Sequence, residues 1–598
     1  MYYRISLILF TFLLLGGSTL WAQSEIDSSG TPTEKDRVVV DHADVGEYIQ
    51  EEGRTLQRLL KEARQVELRQ EDVFMYCDTA IIEDNNVTAY GQVIIQQGDS
   101  LSIFADSLSY QGDSRIADLF GQVILVNDQE KLFTNRLNYD LNSKVATYRS
   151  GATLTNDTTQ LTSQIGYYYV DENEAYFKDS VVVIDPEFIL RSDTLQFNTQ
   201  TRLTTFLGPT LITQDSANIY CESGYYDIRD RSAEFRDNPQ YVKGEQKAWA
   251  EVIRYDGKLK EVQLIDEASF IEGDKKAFAD TIRYEENTKV TWLEGNAHFE
   301  DTEQVIDSER IRYNSEEEAF STSGRSRISD PPQILVADEI DYLGDIGQAK
   351  GNVIWRDTTE QTTIVCEQAD YNKETDYLLA SGDRPLLISL IDEDSLFLRA
   401  DSLISFREAP EDSTRTLVAY QDVRMYKSNL QAVCDSLTYS TKDSLFEFFD
   451  DPIIWSDTTQ FSADTVRMQL VDQQIDQILL YNKALIVNST DEILFNQIKG
   501  RTITAFFETN ELRRMMVEGN AESIYYAQDE AKAYIGLNKT VCSRMLLYFG
   551  NNKVEDIHFY ATPKGNFIPI GRVNFETEKL DGFRWETKRR PFSLQDLK

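Results

Sequence analysis

The sequence predicts an all-β protein, an elongated repetitive β-jelly roll or β-solenoid of about seventeen two-strand coils. Three observations predict it. A six-residue motif returns at a fixed step, apolar residues alternate with period two on both sides of it, and polar turns separate the runs. The segment ADSLSY at 105–110 recurs as SDTLQF at 192–197, ADTIRY at 279–284, ADEIDY at 337–342 and CDSLTY at 434–439. The first residue of each copy runs Ala43, Cys77, Ala105, Thr134, Ser163, Ser192, Cys221, Ala250, Ala279, Ser308, Ala337, Cys366, Ala400, Cys434, Ala463, Gly500 and Cys542. From 105 to 366 the step is 29 residues nine times in succession, which chance does not produce.

Each position of the motif has a physical reading. The first residue is small throughout, so something packs closely against it. The second is acidic in most copies, as in Asp106, Asp280 and Asp338, and an aromatic dominates five residues after the small one, as in Tyr110, Tyr284 and Tyr342. Leu101, Ile103 and Ala105 share one parity while Leu108 and Tyr110 share the other. This predicts a bulge or bend between Ala105 and Asp106, where a small residue and a backbone-bonding Asp both fit. After a polar turn at 111–114, Ala117, Leu119, Gly121, Val123 and Leu125 alternate as a second strand. The stretch Thr55 to Leu68 has the propensity of an amphipathic helix, but the repeat register places it on a strand.

Around this array, residues 1–23 read as a signal peptide. Arg4 precedes an apolar run, Ile5 to Leu15, and small residues follow. That run is short for a bilayer span, which takes about 20 residues; an uncleaved anchor is the alternative. Residues 24–36 are expected to be a flexible mature N-terminus and 37–560 one continuous repeat array. Residues 561–598 are expected to form a capping segment with a basic, aromatic tail containing Phe583, Trp585 and Phe592. The signal implies an exported protein. The net charge of −41 argues against nucleic-acid binding, which needs cations to displace counterions.

The chemistry-bearing residues are sparse. His42, His298 and His558 fall in unrelated positions of the repeat, and no metal cluster, catalytic triad or phosphate loop is apparent. No enzyme activity, cofactor or metal is expected. The five cysteines all occupy the small position. Cys366 and Cys434, two coils apart, are expected about 10 Å from each other if each coil is one strand layer. This is beyond the roughly 7 Å that a disulfide spans, so free thiols are expected. A repeated acidic column reads as bend-stabilising hydrogen bonds, with divalent-cation bridging as the sharper alternative.

The small-Asp-x-apolar-x-Tyr strand, followed by Gly-x-Val as in Gly91-Gln92-Val93, Gly121-Gln122-Val123 and Gly351-Asn352-Val353, resembles the OstA/LptA family of periplasmic lipopolysaccharide-transport proteins. The resemblance extends to the soluble N-terminal domain of the outer-membrane translocon and covers 38–560. It implies a V-shaped β-jelly roll whose apolar interior shields acyl chains. It also implies as partners lipopolysaccharide or a similar glycolipid, other bridge proteins including an outer-membrane translocon, and end-to-end self-association. From the parity of the residues themselves, the inward set is Ile103, Leu132, Leu190, Ile219, Ile306, Leu335, Ile364 and Leu398 on first strands. Leu119, Val123, Leu125, Leu293 and Phe299 complete it on second strands. Two rival functions remain: a structural β-solenoid spacer or adhesin with a closed core, and, more weakly, a carbohydrate-active β-helix enzyme. The first two turn on whether the interior is open or closed.

Overall fold

The computed structural model describes residues 37–597 except 52, 99–100, 157, 393, 408–413, 510 and 551–552. The signal read over 1–23 and the N-terminus read over 24–36 lie outside the described residues. Strands fill nearly all of the chain, and among the described residues the helical turns are short 3-10 segments in the C-terminal tail. The fold is all-β and repetitive. The chain divides into two compact units at residues 186 and 187, and the same repeat builds both. The stretch with helical propensity is indeed strand, Arg54–Leu60 and Val66–Gln70.

Consecutive strands pair antiparallel, each with the next. Asn86–Gln97, Leu101–Gln111, Ile116–Asn127 and Glu130–Asp140 follow one another in this way. A repeat therefore advances the sheet by two strand spacings, about 9.6 Å, because its strands are joined as hairpins rather than stacked as coils. This corrects the cysteine spacing. Four pairing steps separate Cys366 from Cys434, so they lie about 19 Å apart, not about 10 Å. All five cysteines are free and buried.

The long strands bend where the motif changes parity. Tyr90 pairs with Ser107 and Val93 with Ala105, leaving Gly91 and Gln92 opposite Asp106 alone. The strand carrying the acid contributes one unpaired residue, and its neighbour contributes two. Gly91 and Gln92 have φ of 78° and 43°, and the same double left-handed step occurs at Gly295-Asn296, Gly351-Asn352, Asp266-Glu267 and Asn482-Lys483. Only Gly, and to a lesser degree Asn and Asp, adopts this conformation at little cost. The acidic residue secures the step. Asp78 N–H donates to the Gly91 carbonyl at 2.9 Å, Glu251 to Asp266 at 2.9 Å and Asp464 to Asn482 at 3.1 Å. Several carboxylates also find protein partners, as Asp78 does in Lys61 at 2.7 Å and Asp338 in Arg325 at 3.0 Å. These contacts support the bend-stabilising reading of the column.

The small position lies on the inside of the bend and is buried in every copy after Ala43. Where it is a hydroxyl, it bridges the bend locally: Ser163, Ser192 and Ser308 each donate to the carbonyl two residues on, at 3.0, 3.1 and 3.0 Å. Along one bent strand Leu101, Ile103, Ala105, Leu108 and Tyr110 are all less than a tenth exposed. No α-helix covers that face among the described residues, so the two limbs of the sheet bury it against each other. Each fully buried aliphatic side chain contributes about 1.5–3 kcal/mol. The result is a β-jelly roll made by folding a meander along a line of bulges.

The tail does more than cap. Residues 577–597 run back along the outer face of Leu430–Ser440, Ile453–Ser456, Thr459–Ser462 and Asn496–Glu508. Three buried glutamines hold its main chain and one arginine. Gln497 Oε1 accepts from Leu580 N–H at 2.8 Å, Gln460 accepts from Glu586 N–H at 2.8 Å and donates to the Arg584 carbonyl at 3.0 Å, and Gln431 accepts from Arg590 at 2.6 Å. Leu580 and Leu597 are buried beneath this strap, and Val433, Ile453 and Trp455 form an apolar cluster on the same stretch of sheet. Burial works to raise the Asp451 pKa, but the Arg589 and Arg584 guanidiniums outweigh it and hold the carboxyl below its ordinary value.

A Cβ on Gly295 would sit 2.1 Å from Asp280 Oδ2, whereas one on Gly344, also at positive φ, meets nothing within 4 Å. Gly295→Ala should therefore cost about 2–4 kcal/mol, combining left-handed strain with overpacking, against about 1–2 for Gly344→Ala. Urea midpoints of the two variants check this; equal shifts would count against the acid-over-glycine contact.

Candidate functional site

The inward set falls on continuous cross-strand rows. In the first unit Met75, Ile95, Ile103, Leu125, Leu132, Leu154, Leu161 and Val183 stand opposite one another in succession. In the second, Leu190, Ile212, Ile219, Tyr241, Ala248, Phe270, Ala277, Phe299, Ile306, Ile328, Leu335, Trp355, Ile364, Leu387 and Leu398 do the same. Ten of the thirteen expected residues lie on these two stretches, which run along one limb. Leu119, between Leu108 and Leu137, and Leu293, between Ile282 and Ile311, belong to a row on the other limb. Val123 stands opposite Thr134 in the small-residue row at the bend.

Burial divides this set. Ile103, Leu119, Val123, Leu125, Leu132, Leu190, Leu293, Ile306, Ile364 and Leu398 are at most 3% exposed. Ile219, Phe299 and Leu335 are half-buried, and so are Tyr241 and Phe270 in the same row. The difference follows from what happens at the tips of the limbs.

In the first unit the tips are joined. Tyr110, on one limb, donates its hydroxyl to Gln70 Oε1, and Gln70 Nε2 donates back to the Gly112 carbonyl at 3.0 Å. One repeat on, Tyr139 donates to Gln97 Oε1 at 2.8 Å while Gln97 Nε2 reaches the Leu141 carbonyl at 3.2 Å. The next pair is Asn127 Nδ2 donating to Tyr168 OH at 2.7 Å. All six side chains are buried. Between them the aromatic row alternates with alanine, Tyr110, Ala117, Tyr139, Ala146, Tyr168 and Ala175, so each ring fills the space above a small neighbour. Between Gln70 and Tyr168 the interior of this unit is closed.

In the second unit the latch is missing over part of the array. Tyr255 and Tyr313 are 37% and 41% exposed, Tyr284 is half-buried, and none of their hydroxyls has a hydrogen-bond partner among the described residues. The opposing row here interleaves rings with alanines, Tyr241, Ala248, Phe270, Ala277 and Phe299, in place of unbroken aliphatics. Further along, burial raises the pKa of Tyr342 and takes Tyr371 up to about 12. Turn meets turn again where Asp392 N–H donates to Gln473 Oε1 and Gln474 donates to Asp392, both at 3.3 Å. Residues 219–335 thus line an unlatched section of apolar interior, rich in aromatic rings.

Sequence reasoning missed the latch amides. Gln70, Gln97 and Asn127 occupy the last inward position of their strands, and an amide at an otherwise apolar parity position was the signal. It missed the strap glutamines as well. Gln431, Gln460 and Gln497 each lie three residues before the small position in consecutive repeats, Cys434, Ala463 and Gly500.

The chain is thus an all-β roll with a two-limbed apolar interior, part latched and part unlatched. Residues 35–193 match the OstA-like protein family, and residues 160–290 and 272–319 match the LptA/(LptD N-terminal domain) LPS transport protein family. Between them these two matches make residues 35–319 OstA/LptA-like. A solved structure it resembles is LptH, the LptA homologous periplasmic component of the lipopolysaccharide transport device from Pseudomonas aeruginosa. The two share 20% identity over 17% of this chain and 79% of that one, with a TM-score of 0.17. No curated protein matches.

Burial raises the pKa of several acidic groups in the interior: Tyr110, Tyr148, Cys77, Cys221, Cys366 and Cys434 each go up to about 12. The folded chain keeps protons that the unfolded chain releases. Their contribution to stability is therefore complete below about pH 9 and is lost as pH rises toward 12. Urea midpoints measured from pH 7 to 11 should be flat at first and then fall; a rise above pH 9 would contradict the buried, neutral assignment.

Proposed function

We propose that this protein binds the acyl chains of lipopolysaccharide or a similar glycolipid in the unlatched interior and passes them toward the outer membrane. The observation that carries the reading is the section at residues 219–335. Apolar and aromatic side chains face inward there, remain half-exposed, and lack the tyrosine–amide closure of the first unit. Ile219, Phe299 and Leu335 are the contacts to cargo, and the ten buried members of the inward set form the wall that holds the limbs apart. Each methylene taken from water contributes about 0.8 kcal/mol, so a chain of a dozen carbons is retained without any polar contact. The role is binding and transfer in the periplasm, not catalysis.

Photo-crosslinking residues placed at Ile219, Phe299 and Leu335 should capture glycolipid in living cells, while probes at Ile103 and Leu132 should label only protein. Protein-only crosslinks at all five positions would favour the closed-spacer reading, which the latched first unit already fits locally.

The partners follow from the ends of the array. Val39–His42 and Val45–Glu51 each pair on one side only among the described residues, and Val39, Val40 and Tyr48 are exposed. At the other end Lys553–Tyr560 and Lys564–Pro569 pair only with Tyr534–Gly550, leaving Tyr560 and Phe567 exposed. Free edges of this kind recruit further strands. They are the docking points for bridge proteins, an outer-membrane translocon or a second copy. Val40→Pro should reduce concentration-dependent association in sedimentation without moving the thermal midpoint by more than a few degrees; unchanged association would remove the N-terminal edge from this role.

A further inference from the structure

The acidic column is interrupted in two consecutive repeats of the first unit. Asn135 and Gln164 stand where the neighbouring copies carry Asp78, Asp106, Asp193 and Glu222. Beside this break the outer face is hollowed into a groove of about 500 Å³, lined by Gln122, Val123, Ile124, Phe133, Thr134, Asn135, Gly151, Ala152, Thr153, Thr162, Ser163, Gln164 and Ser180. In a chain of net charge −41, not one of these residues is charged. Phe133, Thr153 and Thr162 point outward, since Leu132, Leu154 and Leu161 on the same strands are buried. Phe133 is 40% exposed. The side-chain amides of Gln122, Asn135 and Gln164 are exposed and make no hydrogen bond to the protein. Gly151 leaves the floor open between them, its nearest prospective neighbour being Gln164 Oε1 at 3.7 Å.

We infer that this groove is a binding site for a neutral saccharide. The chemistry fits point by point. A sugar ring presents C–H bonds on one face, which are attracted to the negative face of an exposed aromatic ring. Its adjacent hydroxyls both donate and accept, which matches planar amides that offer a carbonyl and an NH2 together. The absence of charge removes the penalty of desolvating carboxylates against an uncharged ligand. The volume falls within the range of small-ligand sites, about 300–1,000 Å³. An extended peptide fits less well. The backbone beneath the groove is already paired, Ile124 with Phe133 and Phe133 with Thr153. The peptide-reading amides of the strap site, Gln431, Gln460 and Gln497, are buried beside a tryptophan, unlike these exposed ones. The inference does not rest on acyl carriage, because the groove is on the outer face of the first unit and the cargo section is in the second.

The test uses the full-length mature protein and four immobilised probes: maltopentaose, cellopentaose, mannopentaose and chitopentaose. At least one should bind the wild-type chain. Phe133→Ala should weaken that binding at least tenfold. The pair Asn135→Asp with Gln164→Glu, which restores the acidic column, should do the same. Circular dichroism and thermal midpoints show whether both variants keep the fold. Binding of none of the four sugars, or undiminished binding in either folded variant, overturns the site. A synthetic peptide of residues 577–597 serves as the rival ligand. If that peptide binds and the sugars do not, and Phe133→Ala abolishes its binding, the groove is a peptide site instead.

Discussion

Everything in this fold depends on a pair of left-handed residues repeated down the array. At most bends two residues of one strand face a single residue of its neighbour, acidic in most copies, and both adopt positive φ. A strand that passes through such a step turns away from its own plane, so one long meander becomes two limbs. The step is tolerated because its residues are mostly Gly, Asn or Asp followed or preceded by a polar side chain, and because the acidic residue's N–H caps the carbonyl it exposes. The small residue beside it permits the inside of the bend to close. Were that position large, the limbs would be forced apart at their hinge and the apolar rows would lose their partners.

Given the bend, the limbs have only each other to bury against, and whether they close is decided at their tips. In the first unit tyrosines and amides are matched one to one across the mouth, which satisfies polar groups in a position where they would otherwise be buried without partners. In the second unit the tyrosines persist from Tyr255 to Tyr313, but none of them makes a tyrosine–amide pair, although Gln214 stands at the latch position before Tyr255. The rings remain half in water with their hydroxyls solvated. The opposing row compensates with Phe and Tyr set between alanines, which gives wider spaces than a row of Leu and Ile. An opening of this kind arises from which tip residues are paired and needs no change in the repeat.

The C-terminal strap shows the outer surface to be as specifically built as the interior. Three glutamines, one per repeat, read the main chain and an arginine of a segment that lies across several strands, and Asp451 collects two of its arginines. Val433, Ile453 and Leu485, outward-facing apolar residues of the strands beneath the strap, are buried, whereas Phe104, Phe133 and Trp249 at the position of Val433 in other repeats are exposed.

The sequence by itself determined the repeat, the strand parity, the bend beside the small residue, the free cysteines and the family. All of these are written into local periodicity, which a 29-residue step makes visible many times over. Parity alone tells which side of a strand is apolar, and ten of the thirteen residues assigned by it are at most 3% exposed. The sequence did not determine that each repeat adds two antiparallel strands rather than one layer, because hairpin and coil connections share the same pattern of strands and turns. Nor did it show which part of the interior is latched. Gln97 and Tyr139 are 42 residues apart in the chain, and nothing local to either residue announces the other. Latched and unlatched sections differ by side chains that meet only after the sheet has folded along its bulges, so only the tertiary structure decided where the tips of the limbs are joined.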